Sequence, residues 1–322
     1  MSDKKTLNDC LEKIAGFSAN NQLTKAQELL ESLDSDPNNH LLGHITALGL
    51  PRRLHSAHLK LAKAQGDELK KIAYQYTLVP PPEQLKQYAH FTIDERRAIN
   101  LVNQRPVPEK IHQIWIGSKP PPESTQAWKA HVSQHQMEYQ LWREEDIQGL
   151  ELGDDAAFSH MMAKGDLPGA VDVARYRILH RFGGIYLDCD WYPVRDDISF
   201  TDLLPMRGLI AMPEDTARKT GKGSLLLSNS FIASPAEHPI FERLTEAMDN
   251  ITAQLPKAPA WWSTGPLVFT LMSRGGSVTI ADGDFVAGQL PPGTPLSEVG
   301  SWCQQAREGD SGFLLAWRSW SR

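Results

Sequence analysis

Residues 183–190 read Gly-Gly-Ile-Tyr-Leu-Asp-Cys-Asp, a short apolar run followed at once by two carboxylates. Alternate residues of an extended backbone point to the same side, so this spacing turns Asp188 and Asp190 to one side of the chain. Paired carboxylates can hold a divalent cation. Gly183 is expected to end a preceding helix in left-handed backbone geometry. The stretch therefore predicts a buried strand with a cation site at its end.

A helical pattern from Pro168 to Phe182 leads directly into this strand. It places Asp172 and Arg175 three positions apart, on one face of the helix. Taken alone, this pair could be a surface salt bridge worth at most about 0.5 kcal/mol. Together with Tyr186 and the two carboxylates, it predicts one small polar site in which five groups converge.

Short apolar runs alternate with helical patterns in the larger, later part of the chain. The runs cover residues 111–116, 137–142, 185–187 and 209–212. This alternation predicts an α/β sheet with ligand-binding groups at the strand ends. Earlier residues read as helices, and Pro106 and Pro108 mark the boundary. We predict an all-helical N-terminal region over 1–107 and an α/β domain over 108–322.

The first hundred residues follow helical periodicity. Leu7 and Ile14 fall on one face of a first helix, and further helices are predicted over 56–76 and 93–103. Residues 26–39 resemble the second half of a tetratricopeptide repeat. The sequence has no second copy at the proper period, and one repeat cannot build a solenoid.

The composition excludes several classes of protein. A net charge of -6 and a pI near 6.0 argue against a nucleic-acid-binding protein. Cys10, Cys189 and Cys303 form neither a zinc-binding pattern nor a disulfide framework. The sequence shows no transmembrane segment and no standard export signal. We expect a cytoplasmic protein, or one that is peripheral at the membrane or secreted without a standard signal peptide.

An Asp-x-Asp pair is weak evidence by itself, because acidic pairs in turns commonly face solvent. The same pair after a buried strand also begins phosphatases with an aspartyl nucleophile, but those require Thr or Val soon afterwards, where this chain has Trp191. Two segments, 212–224 and 288–295, are predicted to be loops that either close over a ligand or face solvent.

Five stretches together resemble glycosyltransferase family 32 and the related glucosylating toxins. The segment 171–190 resembles the DXD region of that family, and four further stretches are similar to its other motifs. Those stretches are Ile-His-Gln-Ile-Trp-Ile-Gly at 111–117, Leu-Ser-Asn-Ser-Phe-Ile-Ala at 227–233, Thr-Gly-Pro at 264–266 and Trp-Arg-Ser-Trp at 317–320. The resemblance covers about two-thirds of the chain.

The resemblance implies a GT-A fold, a Rossmann-like mixed sheet that binds a nucleotide sugar and transfers the sugar with retention of configuration. It implies Mn²⁺ or Mg²⁺ as cofactor, because an ion that bridges diphosphate and carboxylate oxygens neutralises the leaving group. Asp190 is expected to be the direct metal ligand, and Asp188 to contact the metal shell and the ribose.

The resemblance assigns donor-sugar binding to Asp172 and Arg175, whose carboxylate and guanidinium suit hydroxyl and phosphate oxygens. Tyr186 is expected to contribute to the same binding site. Asn229 is expected near the donor or acceptor sugar, although a buried structural amide would also explain it.

Aromatic residues from two distant stretches complete the expected site. Trp115 matches a tryptophan that stacks on the nucleotide base in the toxin relatives, although a core tryptophan would also explain it. Ser319 and Trp320 resemble a C-terminal lid that touches the diphosphate.

Two hypotheses about function follow. The first is a metal-dependent retaining glycosyltransferase that uses a UDP- or GDP-sugar and a glycan, lipid-linked or protein acceptor. The second is a catalytically inactive sugar-nucleotide-binding or scaffold protein, recruited through N-terminal helices that contact a protein or a membrane surface. The four charged residues of the predicted site favour the enzyme.

Overall fold

A computed structural model describes residues 3–46, 48–77, 85–150, 155–214, 226–256, 258–310 and 312–320. The chain divides into two compact units, Met1–Pro82 and Glu83–Arg322. Among the described residues, none of the helices has the length and apolar character needed to cross a membrane.

The first unit is helical, as the sequence predicted. Its helices are α1 Lys4–Ala19, α2 Leu23–Asp34, α3 Arg52–Gln65 and α4 Glu68–Thr77, with a 3₁₀ turn at Asn39–Leu42. Their apolar faces meet in one buried cluster that includes Leu7, Ile14 and Leu30. The single helix predicted over 56–76 is wrong, because Gly66 adopts a φ of 67° and ends α3.

The second unit alternates strands and helices. Its helices are α5 Ile93–Val102, α6 Glu123–Gln134, α7 Glu144–Gln148, α8 Ala156–Ala163, α9 Leu167–Phe182, α10 Phe200–Leu203, α11 Pro239–Gln254, α12 Ala260–Ser263, α13 Pro266–Ser273 and α14 Leu296–Glu308. Its strands are β1 Lys110–Ile114, β2 Glu138–Trp142, β3 Gly184–Leu187, β4 Trp191–Pro193, β5 Ile210–Pro213, β6 Leu227–Ser234, β7 Thr279–Ile280, β8 Val286–Gln289 and β9 Leu314–Ala316.

The division between the units lies upstream of the boundary that the sequence predicted at residue 107. Helix α5 explains the difference, because its Ile99 is buried in the same apolar cluster as Ile240 and Phe241 of α11. The proline-rich stretch after α5 therefore connects elements of one unit.

A six-stranded mixed sheet, in the order β2-β1-β3-β6-β5-β7, forms the centre of the second unit. Strand β1 runs parallel to both β2 and β3, whereas β6 is antiparallel to β3 and β5. A separate three-stranded sheet has the order β4-β9-β8. Because β1 and β3 are parallel, their carboxyl ends meet at one edge, where ligands bind in sheets of this kind.

The middle strands of the central sheet, β1, β3 and β6, are buried on both faces, as expected for the predicted α/β class. In β3, Ile185 and Leu187 belong to one apolar cluster and Tyr186 belongs to the other. The first cluster contains Trp128, Phe200 and other aromatic side chains, and the second contains the apolar faces of α9, α11 and α13. This alternation follows the two-residue period of a strand.

Candidate active site

The Asp-x-Asp motif leaves the carboxyl end of β3 in a tight turn. The backbone N–H of Trp191 donates to the carbonyl oxygen of Asp188 over 3.1 Å. Between the two carboxylates, Cys189 is buried, and its thiol donates to the carbonyl oxygen of Ile114 over 3.3 Å. The predicted extended backbone is therefore wrong here. The turn brings Asp188 and Asp190 together at the end of the sheet.

Asp188 is held by two neighbouring side chains. Its Oδ1 accepts a hydrogen bond of 2.8 Å from the Tyr186 hydroxyl and lies 3.2 Å from Nη2 of Arg175. Burial raises the pKa of Tyr186 well above its usual value, so its hydroxyl stays protonated and donates. Tyr186 is fully buried and borders neither of the two cavities described below. The structure shows it supporting Asp188, and its contact with a substrate stays a prediction.

Arg175 is the buried cation at the centre of the site. Its guanidinium lies 2.9 Å from Oδ1 of Asp172, donates to the carbonyl oxygen of Asn229, and stands 4.5 Å from the centroid of the Tyr186 ring. Burial opposes the charged form, but Asp188, Tyr186 and Asp172 reverse that effect and raise the pKa of Arg175. Only 4% of its side chain is exposed, which excludes the surface salt bridge.

Asp172 is positioned by two residues from other elements. Its Oδ1 accepts a hydrogen bond of 2.7 Å from Asn229, and its Oδ2 accepts one of 2.9 Å from Thr264. Burial raises the pKa of Asp172 to about 6, against the opposing effect of Arg175. A carboxylate accepts about four hydrogen bonds, so Asp172 retains capacity for a ligand hydroxyl.

Asn229 has its amide hydrogens committed within the protein. In addition to Asp172, the amide donates to the Tyr176 hydroxyl over 3.0 Å. Asn229 is buried, yet it also borders the cavity in front of Asp172. Asn229 is thus a structural amide that fixes a carboxylate at the cavity wall, and its place near the donor or acceptor sugar stays a prediction.

Asp190 is surrounded differently from Asp188. Its backbone carbonyl accepts a hydrogen bond of 2.6 Å from the N–H of Trp317, and its Oδ2 lies 3.3 Å from Nε of Arg318. Burial and the nearby charge of Asp188 raise the pKa of Asp190 to about 6. Asp190 therefore carries a negative charge at neutral pH and sits next to a second one.

A cavity of about 470 Å³ lies on one side of the carboxylates. Trp115 and Trp320 both border it, with ring centroids 5.0 Å apart and planes at 72°. The Trp115 indole N–H donates to the carbonyl oxygen of Lys119 over 2.8 Å, which fixes the ring beside the cavity. Ser319 precedes Trp320 and is half-buried. The structure thus brings both predicted tryptophans to one cavity.

A second cavity of about 340 Å³ shares Arg175, Asp188 and Asp190 with the first. Its remaining wall includes side chains that the sequence did not single out as functional, namely Glu214, Trp261, Gln289, Pro292 and Arg318. They lie in loops, a short helix and the edge of the small sheet, where local sequence carries no periodic signal. Most of the segment 212–224, predicted as a loop, lies outside the described residues.

The charged cluster contains more carboxylates than guanidinium groups. Three carboxylates, Asp172, Asp188 and Asp190, face the two guanidinium groups of Arg175 and Arg318. Among the described parts of the chain, no group of three or more His, Cys, Asp or Glu side chains is placed to hold a metal ion. A cation bound here would need further oxygen ligands from a substrate or water.

Three comparisons relate this site to known proteins. A family profile described as "Glycosyltransferase sugar-binding region containing DXD motif" matches residues 120–205, which contain α9, β3 and both motif carboxylates. Inositol phosphoceramide mannosyltransferase 3 of Schizosaccharomyces pombe is 26% identical over 172 residues, or 52% of this chain. The matched stretch spans 44% of that relative.

Among solved structures, the PaToxG glycosyltransferase shares 18% sequence identity and a TM-score of 0.41, over 59% of this chain and 75% of that chain. The family profile covers the helix and the motif that build the charged centre of the site. The central mixed sheet and its helices give that motif the setting expected of a GT-A fold. Residues 120–205 therefore resemble the sugar-binding region of DXD-containing glycosyltransferases.

Proposed function

We propose that this protein is a metal-dependent retaining glycosyltransferase that takes a sugar from a UDP- or GDP-sugar. The observation that carries the proposal is the shared wall of the two cavities. Arg175, Asp188 and Asp190 border both, so a ligand that extends from one cavity into the other passes these three charged groups. A nucleotide sugar has that form, with a diphosphate between the base and the sugar.

The two motif carboxylates fit a divalent cation. Asp190 and Asp188 are close enough for the charge of one to raise the pKa of the other, a repulsion that a cation relieves. Mg²⁺ and Mn²⁺ favour oxygen ligands and are commonly bound by one or two carboxylates plus substrate phosphates. When bound, the ion would neutralise the charge that develops on the departing diphosphate.

The remaining residues would orient the donor. We assign the nucleotide base to the cavity between Trp115 and Trp320, whose flat rings suit stacking. The sugar would lie against Asp172 and Arg175, where one carboxylate and one guanidinium meet hydroxyl and phosphate oxygens. Ser319 stays assigned to the diphosphate. Asp172 is held rigidly by its neighbours, which favours one sugar orientation over others.

Retention is assigned to front-side attack, in which the departing phosphate takes the proton of the acceptor hydroxyl. Asp172, Asp188 and Asp190 already accept from or pair with neighbouring side chains, and Glu214 is a further carboxylate at the second cavity. Mass spectrometry after incubation with a fluorinated donor tests this assignment. A glycosyl adduct on any carboxylate of the site, Glu214 included, would overturn it, and an unmodified protein is the expected result.

The second cavity is the proposed entrance for the acceptor. Trp261, Gln289 and Pro292 give it an aromatic face, an amide and an apolar edge, which suit the faces and hydroxyls of a sugar ring. The name of the yeast relative gives mannose as its sugar and inositol phosphoceramide as its acceptor. The donor panel for this protein should therefore include GDP-mannose, and the acceptor panel should include glycolipids, glycans and proteins.

Donor hydrolysis tests the proposal without knowledge of the acceptor. The purified chain is incubated with UDP- and GDP-sugars, with Mn²⁺ or with EDTA, and the released UDP or GDP is measured. We expect Mn²⁺-dependent release from one donor, with a loss of at least about 100-fold in Asp190→Asn. The matched control is Asp196→Asn, an aspartate whose pair with Arg307 lies on the surface.

The alternative, an inactive sugar-nucleotide-binding module, predicts a different pattern. It requires Mn²⁺-dependent nucleotide binding, measured by calorimetry, without release from any donor of the panel. A folded protein that shows no nucleotide binding and no nucleotide release would contradict both functions.

A further inference from the structure

Arg318 stands beside Asp190 because the chain that carries it is anchored in the small sheet. Strand β9 pairs with β4, which begins directly after the Asp-x-Asp motif. The next residue, Trp317, is buried, and its indole N–H donates to the carbonyl oxygen of Thr294 over 2.8 Å. Its backbone N–H donates to the carbonyl of Asp190. The backbone at Arg318 is therefore fixed next to the motif.

The side chain of Arg318 is held far less firmly than that of Arg175. Among the described residues its ion pair is with Asp190 alone, at 3.3 Å, and 60% of the side chain is exposed. Arg175 is 4% exposed and contacts two carboxylates and two carbonyl oxygens. The site thus contains one buried guanidinium with several partners and one mostly exposed guanidinium whose single carboxylate partner, Asp190, is 20% exposed. Water can solvate Arg318 when it leaves, so its pair is easier to break than those of Arg175.

We propose that Arg318 is a counter-ion that exchanges partners during donor binding. In the absence of donor it neutralises Asp190, and on entry of the metal and nucleotide sugar it releases this carboxylate to the metal and binds the diphosphate. The inference rests on the proposed function, because it takes the donor to be a metal-bound nucleotide diphosphate.

Electrostatics requires such an exchange if the metal binds Asp190. The guanidinium lies 3.3 Å from the Asp190 carboxylate, so a divalent cation bound to that carboxylate would have a positive charge as its neighbour, and like charges repel. The donor diphosphate brings negative charge to the same cavity, which Arg318 also borders. A guanidinium matches phosphate oxygens with two parallel hydrogen bonds, so it has a partner to move to.

The exchange predicts opposite effects of one substitution on two binding reactions. In Arg318→Gln, Mn²⁺ alone should bind several-fold more tightly than in the unmodified chain, because its competitor for Asp190 is gone. The same variant should bind UDP or GDP in the presence of saturating Mn²⁺ on the order of tenfold more weakly, because a charged partner of the diphosphate is lost. Calorimetric titration measures both affinities.

Two further variants complete the experiment. Arg318→Lys keeps the positive charge but lacks the two parallel N–H donors of a guanidinium. It should therefore bind Mn²⁺ as the unmodified chain does, but recover only part of the nucleotide affinity. Arg307→Gln is the matched control, because Arg307 has a similar exposure of 56% and pairs with Asp196, outside both cavities. It should change neither affinity.

The two titrations of Arg318→Gln test the two contacts of Arg318 separately. Equal or weaker Mn²⁺ binding by Arg318→Gln would overturn the shielding of Asp190, and unchanged nucleotide binding would overturn the contact with the diphosphate. If the unmodified protein binds Mn²⁺ but no nucleotide, the proposed function fails and the diphosphate contact fails with it. The titration with Mn²⁺ alone still decides whether Arg318 shields the carboxylate.

Discussion

Asp188 and Asp190 belong to one motif but are held by different partners. Asp188 is restrained by the Tyr186 hydroxyl and by the buried Arg175, so its carboxylate is committed to a fixed orientation. Asp190 has a single exposed arginine as its side-chain partner among the described residues. Displacing an exposed pair costs less than displacing a buried one. This difference supports Asp190 as the direct metal ligand and Asp188 as its oriented neighbour.

Tyr186→Phe tests the support that Asp188 receives. The change removes one hydrogen bond to a charged oxygen and leaves the buried ring in place. A bond of this kind contributes about 1.5 kcal/mol or more, so kcat/KM for donor hydrolysis should fall about tenfold. Circular dichroism should show an unchanged fold. Unaltered kinetics in the folded variant would contradict the supporting role.

At the level of elements, the junction between α9 and β3 positions the site. Gly183 ends α9 with φ 63° and ψ -153°, a region essentially limited to glycine, rather than the left-handed helical geometry that the sequence suggested. Gly184 follows with φ 92°. A Cβ on Gly184 would lie 2.6 Å from the carbonyl oxygen of Lys110 in β1. The glycine pair lets the helix turn directly into the strand that carries the motif.

Gly184→Ala should therefore destabilise the second unit by about 3 kcal/mol, from backbone strain and overpacking together. Urea unfolding measures the free energy of unfolding. Gly165→Ala is the matched control, because Gly165 also has a positive φ, 71°, but a Cβ added there would meet no atom within 4 Å. Equal losses in both variants would show that the contact with β1 adds nothing to the backbone strain.

The elements that the sequence predicted are those with a strong local signal. The apolar runs correspond to β1, β2, β3 and β5, and the long helical pattern corresponds to α9. The small sheet β4-β9-β8 was missed because its strands have three or four residues, and β9, the partner of β4, lies about 120 residues away in sequence. Short strands of this kind are defined by long-range pairing.

At the scale of the whole molecule, buried histidines link stability to pH. Burial is the first cause that lowers the pKa of His112, His131 and His238 from 6.5 to about 4. Between these pH values the unfolded chain binds protons on these histidines that the folded chain does not. The contribution of the neutral histidines to stability is therefore complete above pH 6.5 and is lost as the pH drops towards 4. Asp172 and Asp190 act in the opposite direction, because their pKa values are raised.

His112→Gln isolates one of these contributions. His112 accepts a hydrogen bond from the Trp142 indole and faces the carbonyl oxygen of Gly183, where a glutamine amide can donate. The free energy of unfolding falls from pH 7 to pH 4 in both proteins, and this fall should be about 3 kcal/mol smaller in the variant than in the unmodified chain. Parallel pH curves of the two proteins, measured by urea unfolding, would contradict the buried neutral state of His112.

The charged centre of the site could be predicted because Asp172, Arg175, Asp188 and Asp190 lie within one stretch of sequence. What the sequence could not show is which side chains fix them. Thr264 and Arg318 reach the cluster from a turn and from the C-terminal segment, and although both fall within stretches that the sequence analysis singled out, their contacts with Asp172 and Asp190 are visible only in the geometry. Trp-Arg-Ser-Trp at 317–320 did contain the arginine, but only the geometry distinguishes its role.

The structure of a crystal soaked with Mn²⁺ and the donor that the hydrolysis panel selects would show directly whether the Asp-x-Asp turn binds a metal-bound diphosphate. We expect an ion bound to Asp190 and to two phosphate oxygens, the base beside Trp115, and the sugar against Asp172 and Arg175. A donor bound elsewhere, or an ion bound away from Asp190, would contradict this assignment.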